Sequence, residues 1–133
     1  MNKIAYLGIP GSYSFIAGSK FFKGSNNMMS NSSISDIFEK VINNKCDFGI
    51  VPLENSSTGS ITESYDFLAQ NDLSIIGEII LHVHHCFLVP NYVERIQDIK
   101  LCLSHQQAIN QCTDFFRKYK WIKPEICSDS AVR

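Results

Sequence analysis

A strand-like apolar run recurs four times along this chain, and each time a polar, turn-prone cluster follows it and opens a helical pattern. Residues 3–7 are β-prone and are broken by Gly8, Pro10 and Gly11, after which Ser12 is placed to cap a helix running to about Phe22. Residues 48–52 form a short continuous apolar run of the kind buried on both faces in a parallel sheet. Beyond them, Ser60 and Glu63 have capping-box spacing for a helix through about Gln70. Residues 100–103 are strand-like and Ser104 stands at a cap position. Ala108, Cys112, Phe115 and Phe116 then lie along a helix ending near Lys120. Residues 124–127 read as the next strand and residues 128–130 as another cap, with residues 131–133 supplying only a first turn. Alternation of this kind predicts βαβ units and a mostly parallel sheet, an α/β fold.

Two further stretches complete the outline. Residues 24–31, rich in Gly, Ser and Asn, read as a loop before Ser33, which caps a helix with Asp36 in the capping-box position. Ile34, Ile37, Phe38, Val41 and Ile42 share one face of that helix. Residues 73–89 read as extended chain that changes direction near His84, long enough to connect two lobes.

With 133 residues, the chain has room for one compact domain or two small lobes. A net charge of −1 supplies no attraction for polyanions, so no nucleic-acid partner is expected. No run approaches the roughly 20 apolar residues of a membrane span, and residues 1–7 lack the pattern of a secretory signal, so a cytoplasmic location without membrane contact is expected. The five cysteines are odd in number, widely spaced and without a CxxC pair, which fits buried thiols in a reducing compartment.

Chemistry concentrates where the predicted strands end: GIPGSYS at residues 8–14, ENSSTGS at 54–60, SHQQAINQC at 104–112, and residues 128–130. In open α/β sheets ligands bind at that edge, and the free N–H groups of helix starts attract anions. The first cluster contains neither GxGxxG nor a Gly-Lys-Ser/Thr loop, and a strand-to-helix turn that needs glycine explains it equally well. The second holds a carboxylate, an amide and several hydroxyls, more donors and acceptors than capping the next helix requires.

Taken together, these clusters resemble the prephenate dehydratase family. Its members carry an opening like GPxGTFS, a run like VPIENSxxGS, a segment like SHxQAxxQC and a Ser-Thr-Ala run. This chain shows Gly8, Gly11, Ser12, Tyr13 and Ser14; then Val51, Pro52, Leu53, Glu54, Asn55, Ser56, Gly59 and Ser60. Ser104, His105, Gln107, Ala108, Gln111 and Cys112 follow, then Ser130 and Ala131, and GEIILHVHHCFL at 77–88 resembles the family's connecting strand. Departures are Phe15 for an acidic residue, Ser57 for threonine, Gln106 for proline and Asp129 for serine. The family's downstream Thr-Arg-Phe motif, whose threonine assists loss of the hydroxyl, does not occur in these 133 residues.

The resemblance implies a two-lobed α/β fold similar to type II periplasmic binding proteins, with residues 1–78 as lobe one and 79–133 as a truncated lobe two. The fold is expected to be incomplete, without the family's regulatory phenylalanine-binding domain. It implies conversion of prephenate to phenylpyruvate with no cofactor and no metal, because aromatisation drives the reaction. Glu54 and Ser104 are the candidate catalytic residues. Ser12, Asn55, Ser56, Ser57, His105, Gln111 and Ser130 are the candidate substrate-binding residues. A carboxylate repels a dianionic substrate unless it is protonated or turned aside, which favours an orienting role for Glu54. His105, just inside a helix start, is as well explained by a structural hydrogen bond. His82, His84 and Cys86 share one face of a strand as metal ligands would, but in the family this run is an inter-lobe strand without metal. Residues 1–133 alone are expected to be inactive and to associate as a homo-oligomer. The competing reading is a non-enzymatic two-lobed binding module for a small carboxylate.

Overall fold

The computed structural model describes residues 1–23 and 27–127. Within it the chain divides into two compact units, Met1–Val83 and His84–Arg133.

The first unit is built on β1 (Lys3–Leu7), which lies between β2 (Asn27–Asn31) and β3 (Phe48–Ile50) in a parallel sheet of order β2-β1-β3. Ile4, Ala5 and Tyr6 are fully buried because alternate side chains of the central strand meet different helices. Ala5 packs with Ile37 of α2 (Ile34–Ile42) and with Cys46. Tyr6 meets Phe15 of α1 (Tyr13–Phe21) edge to face at 5.4 Å.

Local signals set both helix starts. Ser12 Oγ accepts from Phe15 N at 3.3 Å, and Ser33 Oγ accepts from Asp36 N at 3.1 Å. Ile34, Ile37 and Phe38 are buried as their spacing predicts, whereas Ile42, assigned to the same face, is exposed at the last turn. Hydrogen bonds from the hydroxyls of Ser33 and Ser32 hold the Asp36 carboxyl below the ordinary range.

Residues 27–31, read above as loop, form β2 and pair with β1 from Lys3↔Asn27 to Leu7↔Asn31. Asn and Ser have low strand propensity, but an open edge of β1 offers ladder bonds along its whole length, and those outweigh a propensity scale spanning only about 1 kcal/mol. Buried Asn31 extends the ladder with its side chain: Nδ2 donates to Tyr6 O at 3.1 Å and Met29 O at 2.7 Å, while Oδ1 accepts from Lys40 Nζ. β3 is an edge strand with Phe48 and Ile50 half-buried, rather than a strand enclosed on both faces. Its Gly49 lies so close to α2 that a Cβ there would come within 2.7 Å of Ile37 Cγ2.

After β3 the chain makes a small antiparallel hairpin, β4 (Glu54–Asn55) with β5 (Gly59–Ser60), and enters α3 (Thr62–Gln70). Ser60 pairs with Glu54 in the hairpin and does not cap α3, whose N-cap is Ile61 without a side-chain bond. The helix is anchored instead by buried Ser64, whose Oγ donates to Pro52 O at 2.8 Å, and by Phe67 stacking on Phe38 at 5.0 Å. Residues 73–89 carry no regular secondary structure.

The second unit pairs β6 (Leu101–Ser104) with β7 (Lys123–Ile126) in parallel, from Leu101↔Lys123 to Ser104↔Ile126. The single helix expected after Ser104 is two short ones, α4 (Gln106–Gln111) and α5 (Thr113–Lys118), parted at Cys112 where the backbone leaves helical angles (φ −105°, ψ 26°). Ser104 closes the strand, and His105 occupies the cap, its Nδ1 accepting from Gln107 N at 3.3 Å. An aromatic row, Phe87, Phe115, Tyr119 and Trp121, with successive ring centroids 4.8–5.5 Å apart, packs the unit. The cap expected at residues 128–130 lies outside the described residues.

Candidate active site

The carboxyl edge of the first unit's sheet carries two of the polar clusters. At the end of β1 the chain turns through Gly8 and Gly11, at φ 87° and 89°, a region that side chains with a Cβ avoid. A Cβ on Gly8 would also come within 3.3 Å of Ser12 Cβ. Ser12 donates its hydroxyl to Leu7 O at 3.0 Å while capping α1, so the side chain secures this turn.

The loop after β3 is held from within. Asn55 Oδ1 accepts from Ser57 N at 2.9 Å and from Ser57 Oγ at 2.6 Å, an Asx-type turn in which the amide oxygen is engaged and Nδ2 stands as the donor. Gly59, at φ 80°, allows the return into β5. Glu54 Oε1 accepts from Tyr65 Oη at 2.9 Å, which ties the first residue of the loop to α3. The bond to the Glu54 carboxylate raises the Tyr65 phenol above its ordinary value and so keeps the proton on the donor. Glu54, Ser56 and Ser57 are exposed and Asn55 is half-buried.

In the second unit, Ser104 and His105 stand at the carboxyl end of β6. The bond accepted by His105 Nδ1 places a neutral ring's proton on Nε2. Half-buried Gln111, the last residue of α4, accepts at Oε1 from His85 Nε2 at 2.6 Å, which orients its carboxamide. Thus Ser12, Glu54, Asn55, Ser56 and Ser57 belong to one unit, Ser104, His105 and Gln111 to the other, and Ser130 lies outside the described residues. Among the described residues no group of three or more His, Cys, Asp or Glu is placed to hold a metal ion.

Tyr65 and the pairing of His85 with Gln111 were not legible as site features. Tyr65 is 11 positions from Glu54 and His85 is 26 from Gln111, so only folding creates either bond.

Comparison with known proteins agrees with these motifs. The sequence model of the prephenate dehydratase family matches residues 4–132. Bifunctional chorismate mutase/prephenate dehydratases of Enterobacter agglomerans and Escherichia coli K12 are each 36% identical over 133 residues, covering 98% of this chain and 34% of the relative. Arogenate dehydratase 2 of Petunia hybrida is 36% identical over 129 residues, covering 97% of this chain and 32% of the relative. The crystal structure of the prephenate dehydratase from Staphylococcus aureus subsp. aureus Mu50 superposes with a TM-score of 0.80 at 28% identity, covering 97% of this chain and 48% of that one. The chain therefore spans about a third of the curated relatives it matches. A family match running from residue 4 to residue 132, with all four strand-end clusters inside it, shows that the chain belongs to the prephenate dehydratase family.

Proposed function

We propose that this chain supplies the substrate-gripping part of a prephenate dehydratase, in which neutral donors from the ends of β1, β3 and β6 hold a doubly negative ring substrate. The observation that carries this reading is the built loop at residues 54–60, where Asn55 spends its amide oxygen inside the turn and keeps Nδ2 as a donor. In this reading the chain is two lobes, residues 1–78 and 79–133, of the kind found in type II periplasmic binding proteins. Asn55, Ser56, Ser57, Ser104, His105 and Gln111 bind the substrate's carboxylates, with Ser12 holding the first turn and Ser130 adding a donor.

Prephenate loses its ring carboxylate as carbon dioxide and its ring hydroxyl as water. The electron pair of the broken carbon–carbon bond moves into the ring, and the departing oxygen takes up a proton. Positioned acid catalysis at such an oxygen contributes about 10²–10⁴-fold. In this reading Ser104 donates a hydrogen bond near that oxygen, Glu54 orients its loop, and the family's Thr-Arg-Phe threonine performs the main assistance. No cofactor or metal takes part, and the protein acts as a cytoplasmic homo-oligomer.

The test is phenylpyruvate's ultraviolet absorbance after mixing prephenate with the product of the whole reading frame, and separately with residues 1–133. The whole product is expected to turn over and residues 1–133 to bind without turnover. Turnover by residues 1–133 overturns the assignment of roles, and binding without turnover by the whole product favours the carboxylate-binding module. The Petunia relative's name gives a specific reason to offer arogenate beside prephenate in the same assay.

A further inference from the structure

The bond between Tyr65 and Glu54 is more than a surface contact, because both of its ends are fixed. Tyr65 follows Ser64, which is completely buried and hydrogen-bonded to Pro52 O at 2.8 Å, two residues before Glu54. Ile61 N donates to Leu53 O at 2.8 Å, so the start of α3 is also tied to the residue that enters the hairpin. Glu54 in turn pairs with Ser60, and its neighbour Asn55 pairs with Gly59. The phenol therefore reaches the carboxylate from a helix position that cannot drift relative to the loop.

A bare carboxylate at the mouth of a site for a doubly negative substrate is a liability, since like charges repel at short range. Tyr65 Oη engages Glu54 Oε1 and holds the group toward α3. The helix is anchored by Ser64 and Phe67, and the turn is closed by Asn55 with Ser57, so the described bonds leave the tie between Glu54 and α3 to Tyr65.

We infer that Tyr65 is a positioning residue for substrate binding, acting through Glu54: it draws the carboxylate onto α3 and so sets the loop in which Asn55 presents Nδ2 to the substrate. This rests on the binding role proposed for Asn55. The phenol acts as a donor only and no proton is transferred.

The experiment is steady-state kinetics with prephenate on the product of the whole reading frame. Tyr65→Phe, which keeps the ring and removes only the hydroxyl, is expected to raise KM about three- to tenfold with kcat within about twofold. Glu54→Ala, which loses the anchor to α3 but also removes the repelling charge, is expected to raise KM less than Tyr65→Phe does, and adding Tyr65→Phe to it to change nothing further, because the two residues act as one unit. A merely structural tyrosine would instead lower the unfolding midpoint and leave KM of the folded enzyme unchanged. If Asn55→Ala raises KM while Tyr65→Phe does not, the inference about Tyr65 is wrong and the binding role stands. If Asn55→Ala leaves KM unchanged, the binding role itself fails. Should Tyr65→Phe not fold, additive effects of Glu54→Ala and Asn55→Ala on KM would equally overturn the coupling, and sub-additive effects would sustain it.

Discussion

The two units use the same strand-turn-helix plan with very different cores. In the first, a central strand is covered on both sides, and Ile4, Ala5, Tyr6, Ala17, Ile34, Ile37, Phe38 and Cys46 are all buried. In the second, Ile122 is the buried apolar residue among those described, while Leu101, Leu103 and Ile126 of its two strands remain exposed. Among the described residues the first sheet has a third strand and the second does not, and only a strand with neighbours on both edges and helices over both faces loses all of its water. The first unit therefore has the means to hold its loop at residues 54–60 on its own, and the second depends far more on its aromatic row.

This contrast can be broken most directly at Ile37. Shortening it to alanine is expected to cost about 3 kcal/mol, within the range for large-to-small core changes, whereas Leu103→Ala, in a half-open position of the second unit, is expected to cost under about 1 kcal/mol. Urea unfolding read by far-ultraviolet circular dichroism checks both. Equal losses at the two sites would remove the distinction.

Asn31→Leu is expected to cost about 2 kcal/mol, because it removes the side-chain bonds to Tyr6 O and Met29 O and takes from the Lys40 ammonium its amide partner at the end of β2. Protection of the β2 amides from hydrogen exchange should fall with it. A neutral result would show that β2 is held by its ladder alone.

The caps differ more gently. Ser33→Ala should cost about 1 kcal/mol, since Ser33 starts a nine-residue helix whose face is core. His105→Ala, at an exposed cap of a six-residue helix with a longer 3.3 Å bond, should cost less, and the same unfolding curves rank the pair.

Acid provides the smallest effect. The Asp36 carboxyl is depressed in the folded state, so its contribution is full above the unfolded value of about 3.9 and is lost as pH falls through the lower folded value. Asp36→Asn should flatten the pH dependence of stability in that window and change little at neutral pH. As the group is exposed, salt should shrink the difference further.

Much of this was readable from residues alone. Ser12 and Ser33 were found as caps because a cap bonds within three residues of itself, and glycine-led turns declare their backbone angles locally. The clusters at 54–60 and 104–112 were visible for the same reason, as hydroxyls and amides crowded onto strand ends. The misreadings share the opposite cause. β2 was hidden because its strand character comes from β1, and Ser60 failed as a cap because it was already paired with Glu54. The helix after Ser104 kept its apolar spacing but broke at Cys112, which periodicity does not report.

Sequence by itself thus determined the strands β1, β3, β6 and β7, the starts of α1 and α2 and the polar turns that carry the candidate site residues, because those depend on bonds between near neighbours. Only tertiary structure decided which strand lies central, where Ile42 points, and that Tyr65 meets Glu54 and His85 meets Gln111. Such partners are far apart along the chain, and their contacts arise when burial of the core brings distant backbone together.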